Sequence, residues 1–362
     1  MQLFDRLAEQ GHEEVVFCHD GASGLRAMIA VHSTRLGPAL GGVRFRPYPT
    51  EEEALEDVLA LSRAMTYKAA AAGLELGGGK AVILGDPNRV KSEALLRAYG
   101  RHVERLGGTY LTAEDVGTTQ ADMDLLREET SYVTGTSLAL GGSGDPSAAT
   151  AVGVLQAMLA LATHLWGSPD LRGRRVVLSG VGKVGRALAG QLLDIGAVVS
   201  ASDVNPAAAR RAETLGATLV PPERAHAVEC DIFSPCALGS AITVARIPEM
   251  RCQAVVGAAN NQLAETECAV LLAKAGITYV PDFIANAGGI INLAEELDRG
   301  YRQDRALSRV RGILATTGDV LDTARREGAT TTEIAERMAE QRLSGAGRMA
   351  PSGRARVDTA GG

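Results

Sequence analysis

Apolar residues recur along this chain at two spacings, and the change from one to the other divides it. In the first third, short apolar runs at residues 14–18 and 25–31, parted by a turn at Asp20-Gly21, predict two strands. Ala54, Leu55, Val58, Leu59 and Met65 keep a helical period, and Thr50 with Glu53 supplies a capping pair, so a helix is predicted over 51–65. A strand at 81–84, a helix at 92–106 and a strand at 109–113 follow. Residues 135–149 are rich in Gly and Ser, contain Asp145-Pro146, and predict a passage between domains. Beyond a helix at 151–165, apolar runs at 175–179, 198–203, 231–233, 254–257 and 278–280 alternate with helical stretches at 182–194 and 206–215. That alternation predicts a parallel sheet covered by helices on both faces. Helices are expected at 304–326 and 331–343. The Gly-, Arg-, Pro- and Ser-rich tail is expected to be mobile.

The pattern therefore predicts an α/β protein of two domains. Residues 1–140 form the first, with 330–345 packing back on it; 141–329 form the second, and 346–362 are the tail. A length of 362 residues agrees with two domains. A net charge of −6 gives no reason to expect a nucleic-acid partner. No continuous apolar run approaches the roughly 18 residues of a membrane span, and residues 1–10 lack the apolar centre of a signal peptide. The five cysteines are odd in number and widely spread, with no Cys-x-x-Cys pair, which suits reduced thiols and a cytoplasmic protein. Cys236 reads as a small buried filler rather than a nucleophile.

One local motif stands out in the second half. Gly180-Val181-Gly182-Lys183-Val184-Gly185 follows the apolar run Val176-Val177-Leu178 and opens a helical stretch through Leu188 and Leu192. Glycines are common in this chain, so the context carries the reading. Gly180 would allow a tight turn, Gly182 a close approach by a pyrophosphate, and Gly185 close helix–strand packing. The helix N-terminus offers free N–H groups to the phosphates. Asp203, eighteen residues past Gly185, would accept hydrogen bonds from ribose hydroxyls and repel a 2′-phosphate, favouring NAD over NADP. The bland alternative is a strand–turn–helix with no ligand.

The first half holds the candidate chemistry. Lys68 and Lys80 lie in a stretch almost free of other charge, and Lys80 follows Gly77-Gly78-Gly79. The glycines would bring the backbone close to a ligand and deliver the lysine to it. Asp115 falls just past a predicted strand end, where catalytic side chains of open α/β sheets gather. Singly, each has an ordinary alternative: a surface lysine, a loop cap, a helix cap. Beside a dinucleotide site they fit amino-acid oxidation. There a cation binds the substrate carboxylate, and a base takes a proton from the water attacking the imine. A lysine that is partly desolvated near a second ammonium can act as that base near neutral pH.

Several segments together resemble the Glu/Leu/Phe/Val dehydrogenase superfamily: Gly41-Gly-Val-Arg-Phe, Met65-Thr-Tyr-Lys68, Leu76-Gly-Gly-Gly-Lys80, Thr112-Ala-Glu-Asp115-Val-Gly, residues 230–239, Gly257-Ala-Ala-Asn-Asn-Gln262 and Asn286-Ala-Gly-Gly289. The likeness covers roughly residues 10–345 and is strongest to the leucine and valine branch. It implies an N-terminal α/β domain with a mixed sheet and a Rossmann-type, doubly wound dinucleotide-binding domain, with the substrate cleft between them. It implies Lys80 as the catalytic lysine and Asp115 as the group exchanging protons with the amine. Lys68, helped by Asn261, Gly41 and Gly42, would hold the substrate carboxylate. The cofactor would be lined by the 180–185 loop, Asp203, Cys236, Ala237, Ala258 to Asn260 and Asn286, with Thr150 near the nicotinamide carboxamide. The choice between Asn260 and Asn261 as the substrate contact stays open.

The side-chain pocket would be lined by Leu40, Ala113, Ile290 and Leu293, all apolar, so a buried second carboxylate would find no partner and glutamate should be a poor substrate. The expected reaction is reversible, NAD-dependent deamination of leucine, valine or isoleucine to the 2-oxo acid and ammonia. The expected assembly is a homo-oligomer without metal, membrane or nucleic acid. Phenylalanine or glutamate dehydrogenase activity, or a non-catalytic NAD-binding regulator, are the alternatives. Ser143-Gly-Asp-Pro146 departs from the Asn before Pro that is more usual in the leucine enzymes; this touches the hinge region and changes none of the catalytic roles.

Overall fold

Each of the chain's two compact units is built on one sheet. The computed structural model describes residues 3–237, 239–297 and 300–346. The first unit runs to Asp145 and takes back Asn292–Gln303 and the segment from Ala339; the second holds Pro146–Ile291 and Asp304–Met338. Residues 292–303 thus go with the first unit, where the buried Glu296 carboxylate accepts hydrogen bonds from the N–H groups of Gly135 (2.9 Å) and Ser143 (2.8 Å). The tail expected to be mobile lies outside the described residues beyond Ala346.

In the first unit, α1 (Leu3–Gln10) precedes β1 (Glu14–Asp20), β2 (Leu25–Ser33), β3 (Ala39–Arg46), α2 (Glu51–Ala71), β4 (Gly77–Leu84), α3 (Pro87–Val90), α4 (Glu93–Arg105), β5 (Tyr110–Glu114) and α5 (Gln120–Leu126). The sheet order is β1-β2-β4-β3-β5. β2 runs antiparallel to β1 and β4, while β3 runs parallel to β4 and β5, so the sheet is mixed. Helix α2 starts as its sequence dictates, with Thr50 Oγ1 accepting the Glu53 N–H at 3.1 Å. Its Ala54, Leu55, Val58 and Leu59 pack on Met28, Ala30 and Val82 of the sheet.

The apolar pattern predicted no strand at β3 and began the next only at Ala81. Gly41, Gly42 and Gly77–Gly79 hide both strands, because glycine carries no strand preference of its own. Their partners require it. A Cβ on Gly41 would stand 1.7 Å from the Gly79 carbonyl oxygen, and one on Gly78 2.0 Å from the Thr66 nitrogen. A Cβ on Gly79 would stand 2.7 Å from the Tyr110 ring. The three consecutive glycines therefore let β4 nest against its own neighbours, which corrects the expectation that they open the backbone to a ligand.

The second unit opens with α6 (Ser147–Trp166) and continues through β6 (Arg175–Ser179), α7 (Lys183–Asp194), β7 (Val198–Ser202), α8 (Pro206–Thr214), β8 (Thr218–Leu219), β9 (Ile232–Pro235) and β10 (Ala254–Val255). It goes on with α9 (Cys268–Lys274), β11 (Thr278–Tyr279), α10 (Asp282–Ala285) and α11 (Gly288–Ala294), whose end crosses into the first unit. Its sheet order, β11-β10-β9-β6-β7-β8, is parallel throughout. This is the doubly wound arrangement the alternation predicted.

The helix expected over 304–326 is two, α12 (Gln303–Arg311) and α13 (Ile313–Glu327), parted at Gly312; α14 (Thr331–Gly345) follows. By length and composition α6 could cross a membrane, although Thr150, Gln156 and Thr163 interrupt its apolar run. Half of its apolar window is buried, with Gly153, Val154, Ala157, Met158 and Leu161 inside the unit, as in a core helix.

Candidate active site

Strand register in the first unit builds a charged cluster. Leu40 pairs with Gly78 on one side and Leu111 on the other, and Gly42 pairs with Ala113. Alternation then places Leu40, Gly42 and Arg44 of β3, Lys80 of β4 and Ala113 of β5 on one face, the face that carries Met28, Ala30 and Val82 under α2. Asp115, two residues past Ala113, continues that face. Its loop is pinned to β3: Phe45 N–H donates to Val116 O (2.8 Å), and Thr118 Oγ1 donates to Val43 O (3.0 Å). Gly117, at φ +85°, lies so close that a Cβ would stand 1.8 Å from Phe45 O. The helix after this loop is capped by Thr119 and Asp122, which leaves Asp115 free of that duty.

Lys80 Nζ forms an ion pair with Asp115 Oδ2, and Lys80 is only 6% exposed. Arg44, to which the sequence reading gave no role, lies beside them, its Nε 3.4 Å from the same oxygen. Arg44 is held in turn by Asp57 of α2, at 3.0 and 3.2 Å, and Asp57 accepts the Tyr48 hydroxyl at 2.6 Å. Burial pushes the Asp115 carboxyl up, but the charges of Lys80 and Arg44 outweigh it and hold the carboxyl below its ordinary value. For Arg44 burial acts downward, and the carboxylates of Asp115 and Asp57 reverse it. A cation on the inner face of an apolar strand signals a buried acid, but only once β3 is recognised as a strand. Asp57, an acid among Ala54, Leu55 and Val58, is the matching signal in α2.

The other first-unit candidates spread around this cluster. Leu40 and Ala113 are buried in the sheet, and Leu293 is buried beside Gly135. Lys68 is half-buried in the last turn of α2, two residues past the Thr66 that abuts Gly78. Gly41 accepts the Tyr110 hydroxyl at 2.6 Å, and a Cβ on Gly42 would meet Asp115 Cβ at 3.0 Å.

The second unit gathers the nucleotide candidates. Gly180 has φ +103°, a value that favours glycine, and Gly185 packs so tightly that a Cβ would stand 2.1 Å from Gly180 O. A Cβ on Gly182 would meet nothing within 4 Å, so the space in front of it is open. Lys183 and Val184 begin α7, whose N-cap is Gly182. Asp203 braces this loop: Oδ2 accepts the Val181 N–H at 2.8 Å and Oδ1 the Asn205 N–H at 2.8 Å. The turn after β9 closes against it, with Cys236 N–H donating to Ser179 O (2.8 Å) and Ala237 packed on Gly180. Burial pushes the Cys236 thiol up, as suits a filler, and all five cysteines are free. Asn286 is 5% exposed; its Nδ2 donates to Ala258 O (3.1 Å) and Asn260 Oδ1 (2.9 Å). Asn261 is exposed at φ +51°. Thr150 Oγ1 donates to Pro146 O at 3.0 Å, and Gly289 packs on it, so α6 and α11 meet there. Ile290 is buried on α11.

An open glycine loop and a helix N-terminus that donate to phosphates, and a carboxylate at the end of the second strand that accepts from ribose hydroxyls, are the groups that a dinucleotide requires. Residues 12–132 match the dimerisation domain of the Glu/Leu/Phe/Val dehydrogenases, and residues 141–210 and 208–339 match the glutamate/leucine/phenylalanine/valine dehydrogenase domain. The chain belongs to the Glu/Leu/Phe/Val dehydrogenase family. A leucine dehydrogenase from Thermoactinomyces intermedius is 49% identical, over 95% of this chain and 94% of its own length. A valine dehydrogenase from Streptomyces virginiae is 50% identical, over 93% and 95%. The crystal structure of L-tryptophan dehydrogenase from Nostoc punctiforme superposes with a TM-score of 0.82 at 40% identity, covering 96% of this chain and all of that one. The protein is thus an amino-acid dehydrogenase, an oxidoreductase that uses a nicotinamide cofactor.

Proposed function

We propose that this dehydrogenase deaminates a branched-chain aliphatic L-amino acid — leucine, valine or isoleucine — to its 2-oxo acid and ammonia, reversibly, with NAD. The Lys80–Asp115 pair carries the reading, because it sets a base and an acid together on a face that also carries the apolar Leu40 and Ala113. When bound, the nicotinamide supplies the acceptor for the substrate's Cα hydride. Gly180–Gly185, Asp203, Cys236, Ala237, Ala258, Asn260, Asn286 and Thr150 hold the cofactor. Asp203 supports NAD, since its charge disfavours a 2′-phosphate.

Lys68 pairs with the substrate carboxylate, with Gly41, Gly42 and Asn261 completing that contact. Lys80 takes a proton from the water that attacks the imine and holds the developing carbonyl oxygen. Asp115 exchanges protons with the departing amine. Leu40, Ala113, Ile290 and Leu293 meet the side chain, and one methylene among aliphatic substrates is worth about 1–3 kcal/mol. The 40% identity to an L-tryptophan dehydrogenase makes aromatic substrates the second reading. A homo-oligomer is the proposed assembly.

The test is a panel of initial rates of NADH formation with L-leucine, L-valine, L-isoleucine, L-phenylalanine, L-tryptophan and L-glutamate, repeated with NADP for the best of them. A kcat/KM highest for an aliphatic substrate and NAD supports the proposal. Higher values with glutamate, an aromatic acid or NADP would overturn the corresponding part.

A further inference from the structure

Lys80 and Asp115 alone cannot hold their charges through the reaction proposed above. A lysine that gives up its proton to act as a base, or turns toward substrate, stops compensating the carboxylate beside it. A buried carboxylate without a partner takes up a proton. Asp115 has a second cation: Arg44 Nε lies 3.4 Å from the oxygen that Lys80 also reaches. Unlike lysine, a guanidinium keeps its charge throughout the pH range of catalysis. Arg44 is also anchored from behind, since its Nη1 donates to both carboxylate oxygens of Asp57, and Asp57 is fixed by the Tyr48 hydroxyl. The row Tyr48, Asp57, Arg44, Asp115, Lys80 thus joins α2 to both catalytic groups.

We propose that Arg44 is a positioning residue for catalysis: a permanent counter-charge, anchored by Asp57 and Tyr48, that keeps Asp115 ionised and in place while Lys80 changes its proton or its orientation. The proposal rests on the catalytic roles given above to Lys80 and Asp115. Among the described contacts, the charged groups acting on Asp115 are Lys80 from β4 and Arg44 from β3, with Asp57 of α2 acting through Arg44; Tyr110 of β5 lies on the opposite face of the sheet, where burial is the main reason its hydroxyl titrates high.

The test compares wild type with Arg44→Met, Arg44→Lys, Asp57→Asn and Tyr48→Phe. One readout is the pH profile of kcat/KM for the best amino acid. The other needs no activity: the protonated-carboxyl infrared band of protein carrying ¹³C-labelled aspartate, followed against pH and assigned with Asp115→Asn. Arg44→Met is expected to raise the Asp115 midpoint by about one pH unit or more. The acid limb of kcat/KM should move with it, and kcat should fall more than KM rises. Arg44→Lys should restore part of the shift, and Asp57→Asn and Tyr48→Phe should show smaller shifts in the same direction. If Arg44→Met does not fold, those last two variants carry the test. An unchanged midpoint in Arg44→Met, or in both Asp57→Asn and Tyr48→Phe, overturns the proposal. A wild type without amino-acid-dependent NADH formation, with the band still shifted in Arg44→Met relative to it, would instead overturn the assigned activity and leave the counter-charge role standing.

Discussion

Lys80, in the middle of β4, and Asp115, just past the end of β5, meet as a buried ion pair although β3 runs between their strands. They can do so because the residue between them on that face is Gly42, whose missing side chain leaves room for Asp115 at 3.0 Å. Lys80→Met should lower kcat about 10²–10⁴-fold, the usual worth of a positioned acid–base group. Its cost in stability should stay below the roughly 3–5 kcal/mol of an uncompensated buried charge, because Arg44 remains beside Asp115. Steady-state rates and urea unfolding check the two halves; a full loss of fold with no separable kinetic effect would contradict both.

The glycines divide into two kinds, and alanine substitution should separate them. A Cβ on Gly78 would press on the Thr66 backbone at 2.0 Å, so Gly78→Ala should cost at least about 3 kcal/mol, the upper range of overpacking. Gly182 has open space before it and φ −64°, so Gly182→Ala should change stability by no more than about 1 kcal/mol. It should nevertheless raise the KM for cofactor about tenfold, because the added methyl stands where a pyrophosphate would approach. Thermal melts and cofactor titrations decide; a Gly182→Ala enzyme with an unaltered cofactor KM would place the dinucleotide elsewhere.

Asp203 serves two ends, bracing Val181 and presenting a charge at the end of β7. Asp203→Ala should raise the NADP-to-NAD ratio of kcat/KM by about tenfold, equivalent to roughly 1.4 kcal/mol of removed repulsion. The loss of the Val181 contact should also lower stability by about 1 kcal/mol. An unchanged ratio would mean that another group selects the cofactor.

A histidine pair makes the first unit sensitive to acid. His12 and His32 meet edge to face with ring centroids 4.8 Å apart, both buried. Burial, then the neighbouring His12, lowers His32 from the ordinary 6.5 to about 4; burial also lowers His12. Below pH 6.5 the unfolded chain therefore binds protons that the folded chain refuses. This contribution to stability should be complete above pH 6.5 and be lost as pH falls toward about 4. Urea midpoints measured across that window should decline more steeply in wild type than in a His12→Gln, His32→Gln double variant. Parallel declines would remove the pair as the cause.

The parts of this protein that lie on contiguous residues were legible from the chain alone. The 180–185 loop, its flanking strand and helix, and Asp203 form one strand–helix–strand unit, and glycine spacing with apolar period describes it almost completely. Lys80 and Asp115 were also visible, Lys80 because a charge in apolar surroundings is costly and so draws notice, and Asp115 because it falls just past the end of a strand. The tertiary structure decided what depends on strand order. Whether Gly77–Gly79 face a ligand or their own neighbours, and whether Arg44 reaches Asp115, follow from β3 inserting between β4 and β5. Likewise, His12 meets His32 only because β1 and β2 fold back beside α2. Such meetings between residues far apart in the chain are set by packing and register, and a pattern read along one segment holds no information about which other segment lies against it.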